Sequence, residues 1–206
     1  MPSQDEKIVA WHFILCTYGF WLPNDPRGSW SRFVRSPHIF AAGGAATGGG
    51  NIRRSVAGAR HNVALRHAAK AALLYPPVRL DGIQARAVAR GLALAVAENN
   101  YCVHACAIMP DHVNILMAVQ SRRSSHVAAH LKARATQRIN IEGVNPLSGY
   151  ATSAGVAASM WARRHWCVFV HQSELARVRQ YIQRNPEMGG LKRQRWNFVA
   201  SVGCDP

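Results

Sequence analysis

A histidine and an asparagine stand two residues apart in Pro110-Asp111-His112-Val113-Asn114-Ile115-Leu116-Met117. On a strand, successive side chains alternate between faces, so His112 and Asn114 share one face while Val113 and Ile115 occupy the other. An imidazole and a carboxamide placed in this way can both reach one cation. The pattern equally describes a buried histidine beside a turn, and the residues alone leave both readings open. Farther along, in SELARVRQYIQRN, Tyr181 and Asn185 stand four apart, which places a phenol and an amide one turn apart on the same side of a helix.

The elements that must position these groups follow from periodicity and punctuation. Two apolar runs, 101–109 (YCVHACAIM) and 112–119 (HVNILMAV), predict antiparallel strands joined through Pro110-Asp111. The run 8–19 (IVAWHFILCTYG) is β-branched, aromatic and aliphatic, as a central strand should be, and 161–170 (WARRHWCVFV) predicts a further strand. Helices are expected over 83–99, 124–140 and 173–185. In the last, Ser173 is the expected N-cap with Glu174 in the first turn, and Pro186 is the expected stop. Leu175, Val178 and Ile182 form its buried stripe, which Tyr181 and Asn185 flank. His104, on the first strand of the hairpin, could substitute as a ligand, although alternation favours a packed residue.

With 206 residues, 49% of them hydrophobic, the chain can bury the core of a single domain, 1–206. Residues 35–77 break the pattern as a Gly/Ala/Arg-rich insertion after the first strand, flexible in its glycine-rich part and helical around 63–74. The glycine run lacks the Lys-Ser/Thr ending of a phosphate-binding loop. No apolar run approaches the roughly 20 residues of a membrane span, and the N-terminus lacks the order of a signal peptide, so a cytoplasmic protein without a membrane partner is expected. Five cysteines without a Cys-x-x-Cys pair predict reduced, packed thiols. Twenty-five Lys and Arg against ten Asp and Glu give a formal charge of +15, which points to a polyanion. Arg27, in the loop WLPNDPRGSW, and Arg122, Arg123, Lys132, Arg134 and Arg138, in or beside the 124–140 helix, are the expected phosphate contacts. A solvated charged face accounts for the helical ones equally well.

PDHVNILM, the block Trp161-x-x-Arg164-x-Trp166 leading into Phe169, YIQRNP and the earlier WLPNDPRGSW loop resemble the single-tyrosine HUH transposases, most closely the REP-associated tyrosine transposase branch. The likeness spans most of the chain in order, leaving only the insertion and a short C-terminal tail unmatched. It implies an α+β fold, a ferredoxin-like antiparallel β-sheet backed by helices. It further implies a divalent cation, Mg²⁺ or Mn²⁺, held by a His-hydrophobic-His motif whose first histidine falls on His112, and by an amide one helical turn after the nucleophile, here Asn185. The nucleophile falls on Tyr181. The implied partner is single-stranded or hairpin DNA, cut to leave a 5′-phosphotyrosine link, by a protein acting as a monomer or homodimer.

The residue types suit that chemistry. A phenol is a weak nucleophile at neutral pH, and an anionic phosphodiester resists attack. A cation on a non-bridging oxygen withdraws charge and fixes the in-line geometry, and neutral ligands leave it the charge to do so. The chain departs from the family pattern where the second histidine should stand: that position is Asn114. A carboxamide oxygen can hold Mg²⁺ or Mn²⁺ but serves softer metals poorly. The departure is compatible with a working centre of His112, Asn114 and Asn185 at reduced affinity, and with an inactive, domesticated hairpin-binding protein.

Overall fold

The β-branched and aromatic run near the N-terminus forms β1 (Ile8–Cys16), an interior strand of the sheet. After it come α1 (Pro37–Gly43), α2 (Val63–Ala71), α3 (Gly82–Asn99), β2 (Val103–Ile108), β3 (His112–Ala118), α4 (Ser124–Ile141), β4 (Trp166–His171) and α5 (Leu175–Met188). This computed structural model describes residues 7–48, 60–151, 155 and 157–200. The sheet order is β2-β3-β1-β4 with every neighbour antiparallel. Setting α1, α2 and α5 aside leaves β-α-β-β-α-β in the ferredoxin-like order, as expected.

The chain divides into two compact units, one of Met1–Thr17 with Arg79–Pro206 and one of Tyr18–Val78. The inserted segment is therefore larger than the expected 35–77 and takes in the WLPNDPRGSW loop. Within that unit, α1 and α2 pack on each other. Asn24 Nδ2 donates to Ile39 O and Gly44 O at 2.8 and 3.2 Å, tying the loop to α1. The last residues of α1 are Ala41, Ala42 and Gly43, so the helix takes the start of the glycine-rich run; residues 49–59 lie outside the described residues.

In the larger unit the hairpin register places Ala107 opposite Asn114 and Ala105 opposite Leu116. On the other side of β3, Ile14 faces Asn114 and Cys16 faces His112. Directly paired residues share a face, so His12, Ile14, Cys16, His112, Asn114, Leu116, Ala105 and Ala107 form one face of the sheet. Helix α5 covers part of it: Val178 and Ile182 pack with Ala10, Ala105, Ala107, Leu116 and Val170. Phe13, Leu15, Val113 and Ile115 point the other way and are fully buried. Helices α3 and α4 back the sheet, meeting closely at Gly91, where a Cβ would stand 2.5 Å from Arg134 O. The cap of α3 is a reciprocal box, with Asp81 accepting from the N–H groups of Ile83 and Gln84 and the Gln84 side chain accepting from Asp81 N–H.

Three expectations need correction. Pro186 lies inside α5 rather than ending it: in the last turn it forfeits one donor, and the stop is Gly189-Gly190. Gly190 takes φ +74°, and the Leu191 N–H closes on Pro186 O at 2.8 Å while Gly190 N–H closes on Glu187 O at 3.0 Å. At its other end α5 follows a 3-10 turn, Gln172–Glu174, instead of starting from a Ser173 cap. Strand β4 begins at Trp166, because residues 161–165 bridge to the end of β1 through Trp161 and Thr17. Among the described residues no helix is long and apolar enough to cross a membrane, and Cys16, Cys102, Cys106 and Cys167 form no disulfide.

Candidate active site

His112 opens β3 immediately after the two-residue turn. Met109 N–H donates to His112 O at 2.8 Å to close that turn, and Thr17 anchors it, its N–H and Oγ1 both donating to Asp111 O at 2.9 and 2.8 Å. Asp111 Oδ1 lies 2.8 Å from His112 Nδ1 and accepts from it, which leaves Nε2 as the ring nitrogen on the far side of that contact. A carboxylate behind an imidazole in this way fixes the tautomer and ring direction that a metal-ligating histidine requires. Burial raises the Asp111 pKa, but hydrogen bonding and charge from His112, together with the Arg79 charge, outweigh it and hold the carboxyl below its ordinary range.

Asn114 is only 2% exposed. His12 Nε2 on β1 lies 2.9 Å from Asn114 Oδ1, while Asn114 Nδ2 is buried without a partner among the described residues. Asn185 repeats the pattern, its Nδ2 also buried and unpartnered. Leaving such a donor unsatisfied costs roughly 1–3 kcal/mol. A half-turn of each carboxamide would put an oxygen where the stranded NH₂ now lies, and a cation is the partner such oxygens would take. One imidazole nitrogen with two carboxamide oxygens is a donor set for Mg²⁺ or Mn²⁺. Cys16, paired across the sheet with His112, does not join it: burial is the main cause pushing its thiol up to about 11, so it carries no thiolate at neutral pH.

Tyr181 and Asn185 flank the α5 stripe as expected, the tyrosine 45% exposed and Asn185 half-buried. The stripe packs on Ala107, the cross-strand neighbour of Asn114, so the helix lies on the face that carries Asn114 and His112. Its C-terminal end is over the hairpin turn, since a Cβ on Gly189 would stand 2.7 Å from Met109 Cε. Asn185 is one turn before that glycine. The helix that carries Tyr181 and Asn185 thus packs on the sheet face of His112 and Asn114 within one unit. His104 falls at an irregularity in the β2–β3 register and lines a hollow on the opposite flank of α5 with Ala176, Arg179 and Gln183.

His12 is the residue that sequence reasoning missed. Burial, ahead of the opposing Asn114 hydrogen bond and with help from the neighbouring His112, lowers its pKa. The available signal was a lone histidine inside the apolar run IVAWHFILC.

The basic residues divide. Arg27, expected on phosphate, has a side chain only 8% exposed; its guanidinium pairs with Asp25 at 2.7 Å and lies over the Trp21 ring at 3.9 Å. Lys132 donates to Ala162 O and Arg164 O at 2.8 and 2.9 Å, strapping α4 to the segment before β4, and burial brings its pKa down to about 8. Arg134 pairs with Glu98 and Arg138 with Glu142. Arg122 and Arg123 are exposed and carry no ion pair among the described residues. Exposed cations that the sequence reading passed over include Arg184 on α5 and Lys192, Arg193 and Arg195 after it.

The family described as transposase IS200 like matches residues 82–185. No curated protein matches the chain. Among solved structures, that of a REP-associated tyrosine transposase bound to a REP hairpin aligns at TM-score 0.46 and 10% identity, covering 90% of this chain and 71% of that one. A putative transposase from Deinococcus radiodurans R1 aligns at TM-score 0.39 and 13% identity, covering 89% and 96%.

Proposed function

This chain belongs to the IS200-like transposase family, and from that premise we propose that it is a REP-associated-type single-stranded DNA endonuclease and strand transferase, acting in the cytoplasm beside DNA hairpins. The observation that supports the reading is the packing of α5, the helix that carries Tyr181 and Asn185, against the sheet face that carries His112 and Asn114.

Tyr181 Oη attacks the phosphorus of a phosphodiester. An O–P bond to the tyrosine forms, the P–O3′ bond breaks, and the phenolic proton is transferred overall to the departing 3′ oxygen. The product is a 5′-phosphotyrosine link and a free 3′-hydroxyl, and attack by a later 3′-hydroxyl reverses the step and joins strands. His112, Asn114 and Asn185 would hold Mg²⁺ or Mn²⁺, which supplies charge withdrawal on a non-bridging oxygen. Asp111 keeps the His112 ring aimed, and the α5 packing fixes the helix from which Tyr181 acts. Because α5 packs on the hairpin of its own chain, the site needs no second copy, which favours a monomer. Arg122, Arg123, Arg184 and the cations of 192–195 supply the phosphate contacts.

The test is to incubate the full chain with a single-stranded hairpin substrate and Mn²⁺ and to look for a covalent adduct on a denaturing gel. Wild type should form one and Tyr181→Phe none. Asn114 in place of the second histidine favours a second reading, a hairpin-binding protein that no longer cuts. That reading predicts no adduct with any divalent metal in wild type and an adduct once Asn114→His is introduced.

A further inference from the structure

The contact between β1 and β3 at His12 has a purpose that the ligand set leaves unexplained. His12 is 9% exposed, and it is held beside Asn114 by the strand register that puts Ile14 opposite that residue. A primary carboxamide in a buried site has two orientations that differ by a half-turn. In the one seen, Oδ1 faces His12 Nε2 at 2.9 Å and the NH₂ is stranded. In the other, the NH₂ donates to the ring nitrogen and Oδ1 occupies the stranded position. The second orientation needs an acceptor at the His12 position, and a neutral imidazole nitrogen is one. Ile14 and Ala107, the residues paired with Asn114 across β1 and β2, have no polar side-chain atom to offer.

We propose that His12 is the positioning residue that makes Asn114 a metal ligand: Nε2 accepts from Asn114 Nδ2 and so turns Oδ1 towards the cation. The inference rests on the metal-centre reading above and extends it. Across a strand boundary, His12 does for Asn114 what Asp111 does for His112 within the turn. One ligand is aimed by an acidic acceptor and the other by an imidazole, so the chain retains a three-ligand centre with a single histidine in it. The position vacated by the second histidine is thereby used rather than lost.

The experiment is Mn²⁺ titration of the full chain, followed by the electron paramagnetic resonance signal of free Mn²⁺, with melting curves to verify folding. His12→Leu should weaken Mn²⁺ binding about 10–100-fold, the range for losing an outer partner of a ligand. His12→Gln, whose amide oxygen can accept from Nδ2, should recover most of that loss. In an Asn114→Ala background, His12→Leu should change affinity by less than about threefold, because the residue it acts through is gone. Binding by His12→Leu equal to wild type overturns the proposal, and so does an equal loss in the Asn114→Ala background, which would make His12 a ligand in its own right. Failure of wild type to bind Mn²⁺ at all overturns the metal-centre reading and this proposal together. A second measurement needs no substitution: in Mg²⁺-loaded, ¹⁵N-labelled wild type, a nitrogen–nitrogen coupling across the hydrogen bond between Asn114 Nδ2 and His12 Nε2 is expected. Its absence from the loaded protein overturns the proposal whatever the variants do.

Discussion

Removing the Tyr181 hydroxyl takes away the atom that would form the covalent bond and little else, since that side chain is nearly half exposed. Tyr181→Phe should therefore abolish the adduct while changing affinity for hairpin DNA, measured by fluorescence anisotropy, by less than about twofold, or about 0.4 kcal/mol. Asn114→His should tighten Mn²⁺ binding by roughly tenfold and admit softer ions such as Co²⁺, because an imidazole suits borderline metals better than a carboxamide does. His112, Asn114, Tyr181 and Asn185 could be read from the sequence because their relations are local, a period of two on a strand and a spacing of four on a helix. His12 could not, since its partner is fixed by the register of β1 against β3, a contact between residues 102 apart. The charges of Arg27 and Lys132 were visible while their partners were not: Asp25 and Trp21 take the first, and two backbone carbonyls take the second.

Among the elements, the α3–α4 layer depends on one close approach. A methyl at Gly91 would stand 2.5 Å from Arg134 O and 2.6 Å from Ala135 Cα, both backbone atoms that cannot move without moving α4. Gly91→Ala should cost about 1–3 kcal/mol, read from the denaturant midpoint. The outer edge of β2 is covered by the chain after α5: Gln194 accepts from Ile108 N–H at 2.8 Å and donates to Ile108 O at 2.7 Å, and Ala200 N–H donates to Val103 O at 2.9 Å. A glutamine amide thus pairs with the strand as a neighbouring backbone would, which protects an exposed edge. Gln194→Leu should speed hydrogen exchange at Ile108 and leave that of β1, in the sheet interior, unchanged. Strand and helix placement followed from apolar periodicity to within a few residues. The end of α5 did not, because a proline in the last turn forfeits only one hydrogen bond while Gly189-Gly190 supplies a complete cap.

Taken whole, the molecule carries a formal charge of +15, and most of the α4 cations expected on DNA are paired with carboxylates or carbonyls instead. The exposed set on α5, after it and at Arg122-Arg123 should still make single-strand binding steep in salt. With about six phosphate contacts, log K should fall against log salt with a slope of about −4. The acid limb of stability has a separate source. Hydrogen bonds from Arg90 and then Arg138 hold the Glu142 carboxyl at about 2, below its unfolded value of 4.5. A carboxyl depressed in the folded state stabilises above its unfolded pKa and loses that contribution as pH falls through the folded one. Melting temperature should thus decline between about pH 4.5 and 2, and Glu142→Gln should flatten part of the decline. The central claim is tested most directly by anomalous diffraction from crystals soaked in Mn²⁺. One strong peak is expected within coordinating distance of His112 Nε2, Asn114 Oδ1 and Asn185 Oδ1. A peak elsewhere, or none at saturating Mn²⁺, would contradict it.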